Sequence, residues 1–251
     1  MLIESGEPAN WRELEELVAQ ILGECGMEVE SPKIVETVRG SVEVDVFARD
    51  VDTTPDSFYL CECKYWDCNV PRAIVHAFRT VVSDSGANTG LVVAKLGFQP
   101  GAIEAARHSN VSLLSWPEFQ DLFAVRWFVN HMIPLARREL DPFIEYTEPV
   151  NSRILRKADR LSPEAHERLS ELRKEHSACA FLFMPMIWDS DSPTPPQLPL
   201  RGLVGRHGSP ELKRLSSEIL DEVALRPFFT AVLSYAKEVV AEFDEVFGEG
   251  A

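Results

Sequence analysis

Two short segments hold the residues best suited to chemistry, Glu43-Val44-Asp45-Val46 and Glu62-Cys63-Lys64. In a strand, residues two apart share a face. Glu62 and Lys64 therefore point the same way, with Cβ atoms roughly 6–7 Å apart, while Cys61 and Cys63 point to the other side. If Asp45 lies on a neighbouring strand and on the same side, three charged groups converge. Phosphodiester hydrolysis needs such a set. Two carboxylates can hold Mg²⁺, a hard cation that prefers oxygen ligands, and Mn²⁺ can substitute. The metal polarises the phosphate and acidifies a bound water. A lysine beside it can orient that water, help deprotonate it, or stabilise charge developing on the phosphate. The competing reading is plainer: an acid-x-Lys tripeptide also arises as solvated charges on an edge strand. Asp45 inside an apolar strand adds weight to the first reading without displacing the second, because charge placed there is costly unless paired or metal-bound.

The surrounding pattern supplies elements to position these groups. Trp11 to Cys25 reads as an amphipathic helix, with Trp11, Leu14, Leu17, Val18, Ile21 and Leu22 at helical spacing, and Gly26 ends it. Met27 to Glu30 reads as a short strand, and Lys33 to Arg39 pairs with the next segment across a turn at Gly40. Ser41 to Arg49 alternates as one strand, with Val42, Val44 and Val46 on one face and Glu43, Asp45 and Phe47 on the other. Phe58 to Tyr65 is the next strand. Val70 to Ser83 is a helix presenting Ile74, Ala77, Phe78 and Val81, and Gly90 to Lys95 is a buried strand. A short helix over Pro100 to His108, a strand over Val111 to Ser115 and a helix opened by Pro117 complete the first half. This order predicts an α/β sandwich with a mixed sheet over residues 1–124.

After Phe123 the pattern turns helical, which predicts a mostly helical module over residues 125–251. Trp127 to Leu140 is apolar and ends near Pro142. Pro163 to His176 is a charged helix, and Ala178 to Trp188 is an apolar run, strand or helix. Ser190 to Pro210 is Pro-rich and reads as a loop; Leu212 to Phe247 reads as two helices split at Pro227. The runs Val125 to Ile133 and Ala178 to Trp188 are more apolar than a small appendage needs. They are expected to pack on the first half or to form a homodimer.

The net charge of −15 argues against broad, non-specific nucleic-acid binding. Residues 1–124 carry −11 of it and residues 125–251 carry −4, so any nucleic-acid track must be local, or be supplied by the second half, a partner or a metal. No stretch is apolar enough to span a membrane, and Met1 to Glu7 does not read as a signal peptide. Five cysteines, three of them at 61, 63 and 68, fit reduced thiols in a cytoplasmic protein. Their spacing suits no common zinc finger. His108, His131, His166, His176 and His207 are scattered, and read as surface or structural. Tyr65-Trp66 reads first as packing and second as a stacking surface. Arg153, Arg156, Lys157 and Arg160 read first as a solvated helix face.

The first half resembles the Mrr-like branch of the PD-(D/E)xK, restriction-endonuclease-like superfamily. Leu14-Glu15-Glu16-Leu17-Val18 and Gly26-Met27-Glu28-Val29 are similar to its opening helix and first strand. Glu43-Val44-Asp45-Val46 resembles its acidic strand and Glu62-Cys63-Lys64-Tyr65-Trp66 its catalytic strand. Gly90-Leu91-Val92-Val93 with Gly97-Phe98-Gln99-Pro100-Gly101-Ala102 resembles the strand and helix that close the core. The resemblance implies that Asp45 and Glu62 are metal ligands, that Lys64 is the catalytic lysine, and that Glu15 completes the metal site. It departs at three places. No proline precedes Asp45, Glu62 stands where many members carry Gln, and the helix after the lysine strand offers His76 and Arg79 instead of Gln. The implied protein is a Mg²⁺-dependent endonuclease acting on DNA, in restriction or defence, with a helical module for dimerisation, recognition or control. The rivals are an RNase, and a non-catalytic assembly or sensor protein that keeps the fold.

Overall fold

The computed structural model describes residues 1–188 and 193–248. Two compact units emerge, one of Met1–Leu2 with Gly6–His131 and one of Ile3–Ser5 with Met132–Ala251.

The first unit is built on a mixed five-stranded sheet. Helix α1 (Trp11–Glu24) is N-capped by Asn10, whose side chain accepts from the Glu13 N–H. It stops where Gly26 takes a left-handed conformation, φ +87°. Strands β1 (Glu28–Glu30), β4 (Val46–Asp50), β5 (Ser57–Lys64), β6 (Thr89–Ala94) and β7 (Val111–Ser115) follow that order across the sheet. The β1–β4 and β4–β5 pairs are antiparallel, and β5–β6 and β6–β7 are parallel. The parallel steps are made through helices α2 (Arg72–Ser85) and α3 (Pro100–Ala106). A separate hairpin, β2 (Lys33–Thr37) with β3 (Gly40–Val44), joins one layer of the core. There Val35 and Val44 pack with Leu60 and Val92 of the sheet and with Phe78 and Val82 of α2. Helix α1 packs against β4 and β5.

Three expectations are corrected in this unit. Ser41 to Arg49 is not one strand: it breaks at Asp45 into β3 and β4, which belong to different sheets. The unbroken Val42-Val44-Val46 pattern conceals the break, at which the Asp45 side chain turns to the backbone of β5. The buried face of α2 is Val75, Phe78 and Val82, so Ala77 is exposed and the stripe lies about one residue from that expected. Trp11, expected on the core stripe of α1, is 55% exposed.

Helix α4 (Trp116–Trp127) opens with a capping box between Ser115 and Glu118. Near its end, Arg126 makes a bidentate pair with the buried Asp50 and donates to the Cys25 carbonyl at 2.8 Å. Hydrogen bonding from Arg126 holds the Asp50 carboxyl below its ordinary range. One guanidinium thus ties the ends of α1, β4 and α4 together.

The second unit is helical, as expected. Its main helices are α5 (Ile133–Thr147), α7 (Pro163–Trp188) and α10 (Leu225–Phe247), which pack pairwise. Tyr146 stacks on Phe243 at 4.9 Å and donates to Asp244 at 2.6 Å. Shorter pieces are α6 (Ser152–Ala158), α8 (Arg201–His207), a 3₁₀ turn (Leu212–Arg214) and α9 (Ser217–Leu220). The prolines do not break helices where the sequence suggests. A π-helical turn (Phe128–Met132) follows α4, and α5 runs through Pro142. The two segments expected over 163–188 form the single helix α7, which contains Pro185. Pro227 lies in the first turn of α10, so the split falls before Leu225. Within the expected 190–210 loop, residues 190–192 lie outside the described residues, and α8 occupies part of the rest. Arg153, Arg156, Lys157 and Arg160 are exposed, the solvated face expected.

Gly90 sets the approach of α2 to the sheet. A Cβ there would lie 2.7 Å from Val82 Cγ2, and 3.0 Å from both Phe78 and Val111. We expect Gly90→Ala to lower stability by about 1–3 kcal/mol, the usual range for overpacking, as measured by urea unfolding. A midpoint equal to wild type would mean that α2 can move away freely.

Candidate active site

Strand β5 outlasts its antiparallel neighbour. The β4–β5 ladder ends at Val46 opposite Cys61, whereas β5 continues beside β6 as far as Lys64 opposite Ala94. The Cys63 N–H therefore has no strand partner on the β4 side, and a buried N–H without one is costly. Asp45 supplies the acceptor: its Oδ2 takes the Cys63 N–H at 2.7 Å. Its own carbonyl accepts from Ser31 Oγ at 2.8 Å. These bonds explain why Asp45 stands at the bend between β3 and β4.

The bond also places the charges. Lys64 Nζ pairs with Glu62 Oε1 and lies 4.0 Å from Asp45 Oδ2. Lys64 is 14% exposed, Glu62 23% and Asp45 26%, so the cluster is shielded yet reachable. Asp45, Glu62 and Lys64 are thus brought together, with Cys61 and Cys63 buried behind them. Burial raises the Glu62 carboxyl above its ordinary range; the Lys64 hydrogen bond lowers it and Asp45 raises it further. Glu15, on α1, is raised as well, first by burial and then by Asp45. Glu15 and Asp45 border one cavity, which puts Glu15 at the same end of the sheet. Three carboxylates around one ammonium leave an excess of negative charge.

Among the described residues, no group of three or more His, Cys, Asp or Glu stands ready to hold a metal ion. The donors of the cluster nonetheless suit a hard divalent cation. They are carboxylate oxygens, they repel one another, and Asp45 spends only Oδ2 on the backbone.

The neighbouring aromatics carry cations. Lys64 Nζ lies 5.7 Å from the Trp66 ring centroid, and Lys95 Nζ lies 4.3 Å from that of Tyr65 while bonding Asp67 at 2.6 Å. His76 and Arg79 do not line this cluster. They border a separate polar depression with Arg39, Asp84 and His108, and Arg79 donates to the Ala105 carbonyl at 2.6 Å. All five cysteines are free thiols, and Cys68 alone is exposed. Sequence reasoning missed the role of Ser31, and the cavity that Trp11 and Arg12 border beside Asp45. The Asn10 cap was the available signal, since it makes Trp11 the first residue of the helix.

The central strand of the mixed sheet thus ends in an acid-x-Lys sequence faced by an aspartate at a strand break. Residues 7–123 match the family model Mrr_cat, described as a restriction endonuclease. Among solved structures, the crystal structure of a protein of unknown function, AF1548, is similar at 17% identity over 95% of this chain and 99% of that one, with a TM-score of 0.40. No curated protein matches the chain. Among the described residues, no helix is long and apolar enough to cross a membrane.

The raised Glu62 carboxyl yields a signed prediction. A raised folded-state value means that its stabilising share is full at low pH and is lost as pH rises through that value. Glu62→Gln removes the titration. In metal-free protein, the stability of Glu62→Gln relative to wild type should therefore grow as pH rises from about 4 to 7. Chemical unfolding at several pH values measures it. A difference that stays flat, or shrinks, would contradict the raised value.

Proposed function

We propose that residues 7–123 hydrolyse phosphodiester bonds of DNA, with Asp45, Glu62 and Lys64 as the reacting set, Glu15 completing it, and Mg²⁺ or Mn²⁺ as cofactor. The observation that carries this reading is the convergence of the Lys64 ammonium with two carboxylates at the end of β5, inside a restriction-endonuclease domain. When bound, a divalent cation supplies Lewis-acid activation of the phosphate and a more acidic water. Asp45 and Glu62 would hold it through oxygen, and Glu15 would add charge from α1. Burial first, and then repulsion from Asp45, raises the proton affinity of Glu62 and Glu15, and that repulsion favours a cation among them. Lys64 carries a positive charge to the non-bridging oxygens, where negative charge grows during attack. Its pairing with Glu62 fixes the long side chain before substrate arrives.

The second unit would serve dimerisation, recognition or control. Phe181 and Val150, exposed on it, support a homodimer, which would offer two symmetry-related sites to a duplex. A restriction or defence role accords with the family.

The test joins plasmid nicking in Mg²⁺, Mn²⁺ and EDTA, with an RNA arm, to calorimetric metal titration. Lys64→Ala should lower single-turnover cleavage about a hundredfold or more, while metal binding persists or tightens. Glu62→Ala and Asp45→Asn should lose metal affinity and cleavage together; Asn keeps an oxygen for the Cys63 N–H. A Lys64→Ala protein that cuts at the wild-type rate sinks the assignment and leaves the scaffold reading. Cleavage of RNA alone would replace DNA as the substrate.

A further inference from the structure

We propose that the cavity beside Trp11 receives an unstacked nucleobase of the substrate, next to the scissile phosphate. The proposal rests on the nuclease reading and specifies the substrate form that the site selects.

The cavity measures about 400 Å³ and is bordered by Trp11, Arg12, Glu15, Glu16, Glu43 and Asp45, with the Ser31–Pro32 turn as one wall. That is within the size range of small-ligand pockets. Asp45 and Glu15 belong to the candidate active site, so the cavity shares two of its lining residues with that site. Ser31 is bonded to the Asp45 carbonyl, which makes the wall and the site one construction.

Trp11 is the unexplained feature. Its helical phase puts it with Leu14, Val18 and Ile21, which are buried, yet its own ring is 55% exposed. A large aromatic surface left in water forgoes the burial that aromatic side chains normally gain. The Arg12 guanidinium carbon lies 5.3 Å from the ring centroid, so the ring is accompanied by a cation. An exposed indole at a cavity mouth is a stacking platform, and such platforms accept any base through its π-face.

The charge of the lining decides which part of a nucleotide enters. Glu15, Glu16, Glu43 and Asp45 face Arg12 alone as a cation. A phosphate would be repelled from this lining. A base edge carries N–H donors, and carboxylates accept from exocyclic amino groups such as that of cytosine. The phosphate is then left to Lys64 and the base to the acidic cavity. A base paired and stacked within a duplex cannot reach the cavity, so the substrate offers an unpaired base, or the protein turns one out of the stack.

The experiment uses the full chain in the non-cutting Lys64→Ala background. A dye-labelled single-stranded 12-mer containing all four bases, and the same sequence as a duplex, are titrated by fluorescence anisotropy in Mg²⁺ and in EDTA. The expected result is tighter binding of the single strand, about tenfold weaker binding on adding Trp11→Ala, and near-parental binding with Trp11→Phe, which keeps a stacking ring. Circular dichroism and the unfolding midpoint establish that each variant folds. Single-strand affinity unchanged by Trp11→Ala in a folded protein overturns the proposal, as does absence of binding to either oligonucleotide. The two readings fail separately. Loss of binding on Trp11→Ala in a chain that never cuts refutes the nuclease and keeps the base cavity. Cleavage dependent on Lys64 but indifferent to Trp11 keeps the nuclease and refutes the cavity.

Discussion

The candidate site depends on one hydrogen bond, from the Cys63 N–H to Asp45 Oδ2. A strand that runs past its neighbour leaves main-chain donors unpaired, and these must find another acceptor. Here the acceptor is a carboxylate, so satisfying the backbone also anchors a charge. The anchored charge stands beside the next outward residues of β5, Glu62 and Lys64. Alternation along β5 directs Cys61 and Cys63 into the core. A feature of sheet geometry, the unequal length of β4 and β5, thereby becomes a cluster of two acids and one base.

Holding that cluster requires a rigid frame. Leu60 and Val92 lie under Phe78 and Val82 of α2, whose close approach is permitted by the missing Cβ of Gly90. Helix α1, which packs on β4 and β5, carries Glu15 to the cavity that Asp45 borders, and Arg126 binds the far end of the same helix through the Cys25 carbonyl. The bidentate bond to Asp50 fixes that guanidinium in turn. Asp45 and Asp50 lie at opposite ends of β4, so the strand has one acidic anchor above and one below. Asp50 is matched fully by Arg126 and has a lowered carboxyl; the Glu62 and Glu15 carboxyls beside Asp45 are raised. The contrast separates a structural ion pair from a cluster left with excess charge.

The parts of this arrangement that arise from local pattern were legible in the sequence. Alternation in the strand read over 58–65 placed Glu62 and Lys64 together, Gly26 marked the end of α1, and Val111 to Ser115 was read with its observed limits. The parts that arise from tertiary contact were not. Nothing in Val42-Val44-Asp45-Val46 signals a break, because the bond that makes it comes from Cys63, far along the chain. Trp11 fits the apolar stripe by phase, and only the fold shows that the stripe's first position projects beyond the core. In the helical unit, Pro142 looked like a terminator. Phe143, buried immediately beside it, holds α5 to its neighbours across the lost hydrogen bond. Packing overrides propensity there, and propensity was all that the sequence offered.

The proposed function sets the acidity of the chain against a polyanionic substrate. With a net charge of −15, the chain cannot gather nucleic acid by long-range attraction. Recognition must then rest on short-range terms: stacking, hydrogen bonds to base edges, and cations held close to the phosphate. Those terms discriminate more sharply than a diffuse basic surface, because they vanish when the geometry is wrong by an ångström or two. The mutual repulsion of Asp45, Glu62 and Glu15 has the same consequence. A cluster that is unfavourable alone gains most from a partner that brings positive charge, so the free energy withheld from folding becomes available for binding. Under the proposed function such a domain is conditional: its attraction for a phosphate would be created at one point, by Lys64 and by a cation that the carboxylates would hold. Elsewhere its surface charge opposes association, and that opposition is itself a filter against nucleic acid that does not fit.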